Sequence, residues 1–354
     1  MHSPFASAFR SVYTNLLREQ ESASGSASDS SIWQTLKADS EVSGFLSVNA
    51  GNFGRLEVSI DPIASGEDGF VSVARRPASD QHEFVVKQSF SPALRGVSSI
   101  NRKHDPLLGE YAFAAALQGL DLVPEIHWIS SRSPSPRKFS RTIVQHRIGN
   151  TLDAYIEQIS EEMEASEFSK TILNLGLRSL SVLQRLHECS VVHGDVDFCN
   201  IAFATDDVDG PLMLIDFEKA AFNSPLQDEA MAEFHKAERV NGRLRSVATD
   251  VCVLLEDMAL AIESHGPQKE EFNLEFDDTD EDSVTGKIYR LVDIAESMTH
   301  EPTFNYDVIR VGLENIHSSI DESDDDDVEN DFDDDSLDSD DGEADSDDGS
   351  VRTG

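Results

Sequence analysis

Cysteine is scarce: Cys189, Cys199 and Cys252 are the only three in 354 residues. They form neither a disulfide framework nor a metal-ligand spacing, so a reducing compartment is the simpler reading. Long apolar runs are missing too. None approaches the roughly eighteen residues of a membrane-spanning helix, and no membrane partner is expected. Positive charge is short: 28 Lys and Arg stand against 68 Asp and Glu, a net charge of −40. Residues 321–354 hold 18 acidic residues and one Arg, which leaves −23 on the other 320. A body that acidic argues against direct nucleic-acid binding. A nucleotide can still bind where local cations or a metal offset the field. No secretory signal peptide is visible, and a cytoplasmic or nuclear location is the expectation.

What is present divides the chain. Residues 4–20, "PFASAFRSVYTNLLREQ", set Phe5, Phe9, Tyr13 and Leu16 at helical spacing. A mitochondrial transit peptide would share this pattern; a short amphipathic helix packing on the domain is the reading adopted. Residues 21–31 are small and polar and read as a flexible linker, so 1–43 form a helix-and-linker segment. β-like runs follow at "GRLEVSI", "FVSVARR" and "EFVVKQSF" (83–90), then a helix near 107–119. "SRSPSPRKFSR" (131–141) is an exposed loop between two further β-like runs, because Pro and Ser break both periodicities. It resembles a proline-directed phosphorylation site.

From about residue 150 the pattern turns helical. Residues 169–189 place Leu173, Leu177, Leu180 and Leu183 at steps of three and four. Residues 244–262 read as a buried helix, and weaker helices follow near 284–298 and 306–318. Residues 44–148 are thus β-rich and 149–320 helical. The tail, 321–354, holds too little apolar material for a core and is expected to be disordered. Such a tail is a solvating run or an arm for basic protein partners.

Several polar residues sit where strands end. Lys87 closes the apolar run "FVVK", and "IASGEDGFV" (63–71) puts Gly66, Gly69 and Val71 at a turn between two strands. Glycine lets backbone N–H groups come close to phosphate oxygens; a plain hairpin turn reads the same way. "SVVHGDVDFCNIAF" (190–203) follows a long amphipathic helix and carries Asp195 and Asn200, five residues apart. "GPLMLIDFEKA" (210–220) sets Asp216 at the end of an apolar strand. Two carboxylates and a carboxamide suit a magnesium–phosphate site, because magnesium takes few protein oxygens and leaves the rest to phosphate.

In this order the pieces resemble the protein-kinase superfamily over about residues 56–262. "ASGEDGFV" stands for the glycine-rich loop, with Ala64 where the first glycine usually lies, and "FVVK" for the strand lysine. Glu110 falls where the helix-C glutamate would be, "VVHGDVDFCN" matches the catalytic loop, and "IDFE" matches "DFG". "KAE" at 236–238 stands for "APE", and Asp250 for the Asp that opens the buried F helix. The resemblance implies an α+β fold with a β-rich N-lobe, a helical C-lobe and a disordered acidic tail. It implies ATP and Mg2+ as cofactors. Lys87 would hold the α- and β-phosphates and Glu110 would orient Lys87. Gly66, Gly69 and Val71 would line the nucleotide, and Asp216 and Asn200 would bind metal. Asp195 would take or align the proton of the acceptor hydroxyl. His193 and Phe217 would pack beneath the site, and Cys199 reads as a small buried filler.

Four departures qualify the match. Gly194 replaces the Arg that reads a phosphorylated activation loop, in a spelling seen in aminoglycoside and choline kinases. Asp197 stands where Ser/Thr kinases keep a phosphate-contacting Lys. Glu218 replaces the glycine of "DFG", and the segment after 262 is short and acidic. The expected function is ATP- and magnesium-dependent phosphotransfer, with protein Ser/Thr hydroxyls as the first acceptor class. A pseudokinase scaffold and a kinase of small-molecule hydroxyls are the alternatives.

Overall fold

Strand-forming residues of the first half alternate between two environments. Phe84 and Val86 pack with Ala50, Leu56, Val58, Ala74 and Val144 in one apolar cluster. Val85 and Lys87 fall on the opposite face by the two-residue period of a strand. The computed structural model describes residues 4–23, 44–50, 53–65, 69–90, 106–129, 139–223, 239–240, 243–265, 282–301 and 303–325.

Within them the fold is mixed α/β with antiparallel sheets. Strands β1 (Phe45–Asn49), β2 (Arg55–Ser59), β3 (Ala64–Ser65), β4 (Gly69–Arg75), β5 (Phe84–Phe90), β6 (Ile126–Ile129) and β7 (Phe139–His146) make one sheet. Its order is β1-β2-β4-β5-β7-β6, with β3 on β4. Register sets Val71 opposite Lys87, and Lys87 opposite Ile143. The expected exposed loop ends earlier than its sequence suggests, since residues 139–141 already pair in β7.

Helix α1 (Pro4–Ala23) carries the amphipathic stripe of the amino terminus and runs three residues into the expected linker. Its Phe5, Phe9 and Tyr13 are buried. They meet α2 (Pro106–Leu117), which is apolar nearly all round apart from Glu110 and needs cover on more than one side. Ring centroids of Phe9 and Phe113 lie 4.4 Å apart, and those of Phe9 and Phe222 5.1 Å apart. So α1 packs on the domain.

The remaining helices are α3 (Leu152–Ile159), α4 (Ala165–Glu188), α5 (Val247–His265), α6 (Val284–Ser297) and α7 (Tyr306–Asp325). Thr151 caps α3 by accepting from Ala154 N. Leu173, Leu180 and Leu183 of α4 are fully buried with Val251, Leu254 and Met258 of α5. The two helices close up at Gly176, where a Cβ would stand 2.2 Å from the Met258 methyl. α7 continues to Asp325, so the first five residues of the expected disordered tail are helical. Short strand pairs frame the loops between α4 and α5: β8 (Val191–Val192) with β11 (Ala221–Phe222), and β9 (Ile201–Phe203) with β10 (Leu212–Leu214). A further pair, β12 (Arg239–Val240) and β13 (Arg243–Leu244), precedes α5. Gly66, Glu238 with the rest of "KAE", "SRSPSP", residues 24–43 and the tail from 326 lie outside the described residues.

Candidate active site

Lys87 leaves β5 toward α2 and meets two carboxylates. Its Nζ lies 2.8 Å from Glu110 Oε2 and 2.8 Å from Asp216 Oδ1. The lysine is 18% exposed and Glu110 6%. Burial alone would lower the Lys87 pKa, but the facing carboxylates outweigh it and the ammonium is strongly favoured. Burial pushes the Glu110 carboxyl up to about 7, against the pull of Lys87. For Asp216, Lys87 more than offsets burial and the carboxyl is held below its ordinary range. Three residues from a strand, a helix and a loop, 129 positions apart at the extremes, thus form one hydrogen-bonded cluster.

Asp216 adopts left-handed backbone angles (φ 62°, ψ 65°) that a non-glycine residue rarely takes. It opens a 3-10 turn over Phe217–Lys219. Glu218 has a negative φ there, so no glycine is needed at that position. Phe217 is buried and stands 4.9 Å, centroid to centroid, from the fully buried His193. His193 Nε2 donates to Ile215 O at 2.9 Å, as expected of a packing residue.

The loop from 193 to 200 hangs from Asp250 at the start of α5. Its Oδ2 accepts from His193 N at 2.6 Å, and its Oδ1 from Gly194 N at 2.9 Å. His187 Nε2 donates to the same Oδ2 at 2.9 Å, while His187 Nδ1 meets the Tyr306 hydroxyl of α7. Gly194 has φ +75°, and a Cβ there would sit 2.6 Å from the Lys219 carbonyl. Position 194 is therefore glycine for a local reason: backbone passes too close for a side chain.

Asn200 Nδ2 donates to Asp195 O at 2.9 Å, which ties the two ends of the loop. That leaves the Asn200 carboxamide oxygen for a cation. Ile215 N donates to Asn200 O at 3.0 Å, bringing Asn200 beside the strand end that carries Asp216. One carboxylate and one carboxamide are an oxygen-only donor set that fits magnesium and not zinc. Among the described residues no group of three or more His, Cys, Asp or Glu could hold a metal. Gly69 begins β4 opposite Ser89, and Val71 faces Lys87 across the sheet.

No protein-family model and no curated protein matches this chain. The site therefore stands on its own geometry.

Three residues here were not singled out from sequence. Lys219 Nζ lies 2.6 Å from Asp195 Oδ1. Its place in "IDFEKA" was visible, but a lysine after an apolar strand ordinarily faces water. Tyr306 belongs to the last helix and had no local signal. Asp257 on α5 accepts the Phe198 N–H beneath the loop; burial, then Asp197, Glu256 and Asp153, push its carboxyl up to about 7. Asp197 accepts from Cys199 N at 2.8 Å and caps the turn 198–200. Cys199 is exposed, not the buried filler its sequence suggested, because it sits on the outward side of its turn; partial burial and then Asp197 nonetheless push its thiol up to about 12, which disfavours the reactive thiolate.

Proposed function

We propose that the chain is a divergent protein-kinase-like phosphotransferase that uses ATP and magnesium and transfers the γ-phosphoryl group to a protein Ser/Thr hydroxyl. The observation that carries this reading is Lys87, held at 2.8 Å by both Glu110 and Asp216. A buried ammonium fixed between two carboxylates is a preorganised contact for phosphate oxygens, and such transfer is mostly positioning plus charge neutralisation. In this reading β1–β7 with α2 form one lobe and α3–α7 the other, with the site where they meet.

Magnesium bound by Asp216 and Asn200 would neutralise phosphate charge. Lys87 orients the α- and β-phosphates. The hydroxyl oxygen of the acceptor bonds to the γ-phosphorus as the bond from that phosphorus to the bridging oxygen of ADP breaks. Asp195, held at its carbonyl by Asn200, receives the hydroxyl proton.

The test is transfer from γ-labelled ATP to the chain itself and to a basic Ser/Thr peptide, with wild type beside Asp195→Ala and Asp216→Ala. The expected result is labelling by wild type and a loss of at least about 100-fold in both variants. Equal incorporation in all three ends the proposal. A second reading is favoured by the ion pair on Asp195: a nucleotide-binding module without turnover. That reading is carried if magnesium-ATP raises the melting temperature while label transfer matches the Asp195→Ala background.

A further inference from the structure

Phosphoryl transfer places charge on three equatorial oxygens, and a site needs cations on the acceptor side as well as around the nucleotide. The loop around Asp195 does not provide one. Asp197, two residues on, is an acid, and its Oδ1 is engaged by Cys199 N as the cap of a 3-10 turn. Lys87, between Glu110 and Asp216, serves the nucleotide side in this reading. A cation reaches Asp195 from another segment: Lys219 Nζ lies 2.6 Å from Asp195 Oδ1.

Two local features deliver it. The left-handed backbone of Asp216 turns the chain into the short helix that ends at Lys219. Gly194 has no side chain, and the Lys219 carbonyl occupies the place where one would be. The lysine backbone thus rests on Gly194 while its ammonium returns to Asp195, the next residue. The side chain is 37% exposed, and Asp195 takes one of its three N–H donors. Among the described residues Nζ has no second acceptor.

We propose that Lys219 is a catalytic residue of the phosphotransfer described above: it supplies, from the segment after Asp216, the acceptor-side cation that Asp197 cannot be. The inference rests on that reading. In the transfer step one N–H of Lys219 holds Asp195 toward the acceptor hydroxyl, and another donates to a non-bridging oxygen of the moving phosphoryl group. No bond to Lys219 is made or broken.

The experiment compares wild type, Lys219→Met, Lys219→Arg and the double variant Lys219→Met/Asp197→Lys in transfer from γ-labelled ATP to the chain itself and to a basic Ser/Thr peptide. Lys219→Met is expected to lower kcat by about 100-fold with KM for ATP changed by less than about threefold. Lys219→Arg keeps a part of the activity. Asp197→Lys, by putting a cation back into the loop, recovers at least about tenfold of what Lys219→Met loses. Melting curves with and without magnesium-ATP are expected to coincide for wild type and Lys219→Met. An active wild type with an equally active Lys219→Met overturns this inference and leaves the phosphotransfer reading standing. So does a Lys219→Met loss that appears wholly in KM, or one that Asp197→Lys leaves untouched. A wild type no better than Asp195→Ala overturns both.

Discussion

Asp257 shows how a single buried carboxyl couples this site to pH. It holds its proton up to about pH 7 in the folded chain, because burial and then Asp197, Glu256 and Asp153 disfavour its charge. An unfolded Asp titrates near 3.9. Between those values the folded state binds the extra proton, so stability falls as pH rises through that window and stays low above it. Asp257→Asn keeps an acceptor for Phe198 N–H and removes the titration. It is expected to raise the melting temperature relative to wild type at pH 8, by on the order of 2 kcal/mol in stability, and to do little at pH 4.5. Thermal melts of both proteins at the two pH values check this; a variant whose offset from wild type is the same at both sinks it.

Residues that carry their chemistry in short local patterns were legible from sequence. Asp195, Asn200 and Asp216 stand in loops or past a strand end with a telling neighbour, whereas Lys87 lies mid-strand in β5 and Glu110, suggested only by the resemblance, lies inside α2; the fold brings Lys87, Glu110 and Asp216 into contact. Lys219 was not legible, because its significance lies in where Asp216 turns the backbone and not in its own letter. Tyr306 was not legible either: its partner His187 is 119 positions away.

Among elements, α2 has the most demanding surroundings. It must hold Glu110 against Lys87, yet it offers few polar residues to water. α1 covers it with Phe5, Phe9 and Tyr13, and Phe222 from β11 closes the same aromatic cluster. Phe9→Ala is expected to cost about 3–5 kcal/mol, as for other buried aromatic truncations. Because α2 carries Glu110, the same change should also reduce the rise in melting temperature on adding magnesium-ATP. Urea denaturation and nucleotide-dependent melts measure the two effects. An unchanged nucleotide response in the destabilised variant would separate α1 from the site.

Helix existence was readable from period, since α4, α5, α6 and α7 begin or end within a few residues of the expected spans. Strands β8 to β11 are two or three residues long, too short for an alternation to register. The aromatic spacing of α1 announced a buried stripe but not its mate, because an amphipathic face records that something covers it and not what does.

Across the whole molecule, one chain of hydrogen bonds joins α7, α4, α5 and the loop bearing Asp195. In the neutral His187 ring, Nε2–H donates to Asp250, so Nδ1 receives the Tyr306 hydroxyl hydrogen. Asp250 then holds His193 N and Gly194 N. Tyr306→Phe leaves His187 Nδ1 buried without that donor. It is expected to lower stability by roughly 1–2 kcal/mol and to speed amide exchange at His193 and Gly194. Exchange that quickens only within α7 would show that the last helix does not steady the loop.

The aromatic cluster on α2 also has a consequence for synthesis. Phe9 leaves the ribosome 213 residues before Phe222, which completes its surroundings. At ordinary elongation rates that interval is about 10–40 s. Throughout it the stripe of Phe5, Phe9 and Tyr13 has no finished place to dock, so a nascent chain of this protein presents an adhesive stripe to whatever chaperone meets it first.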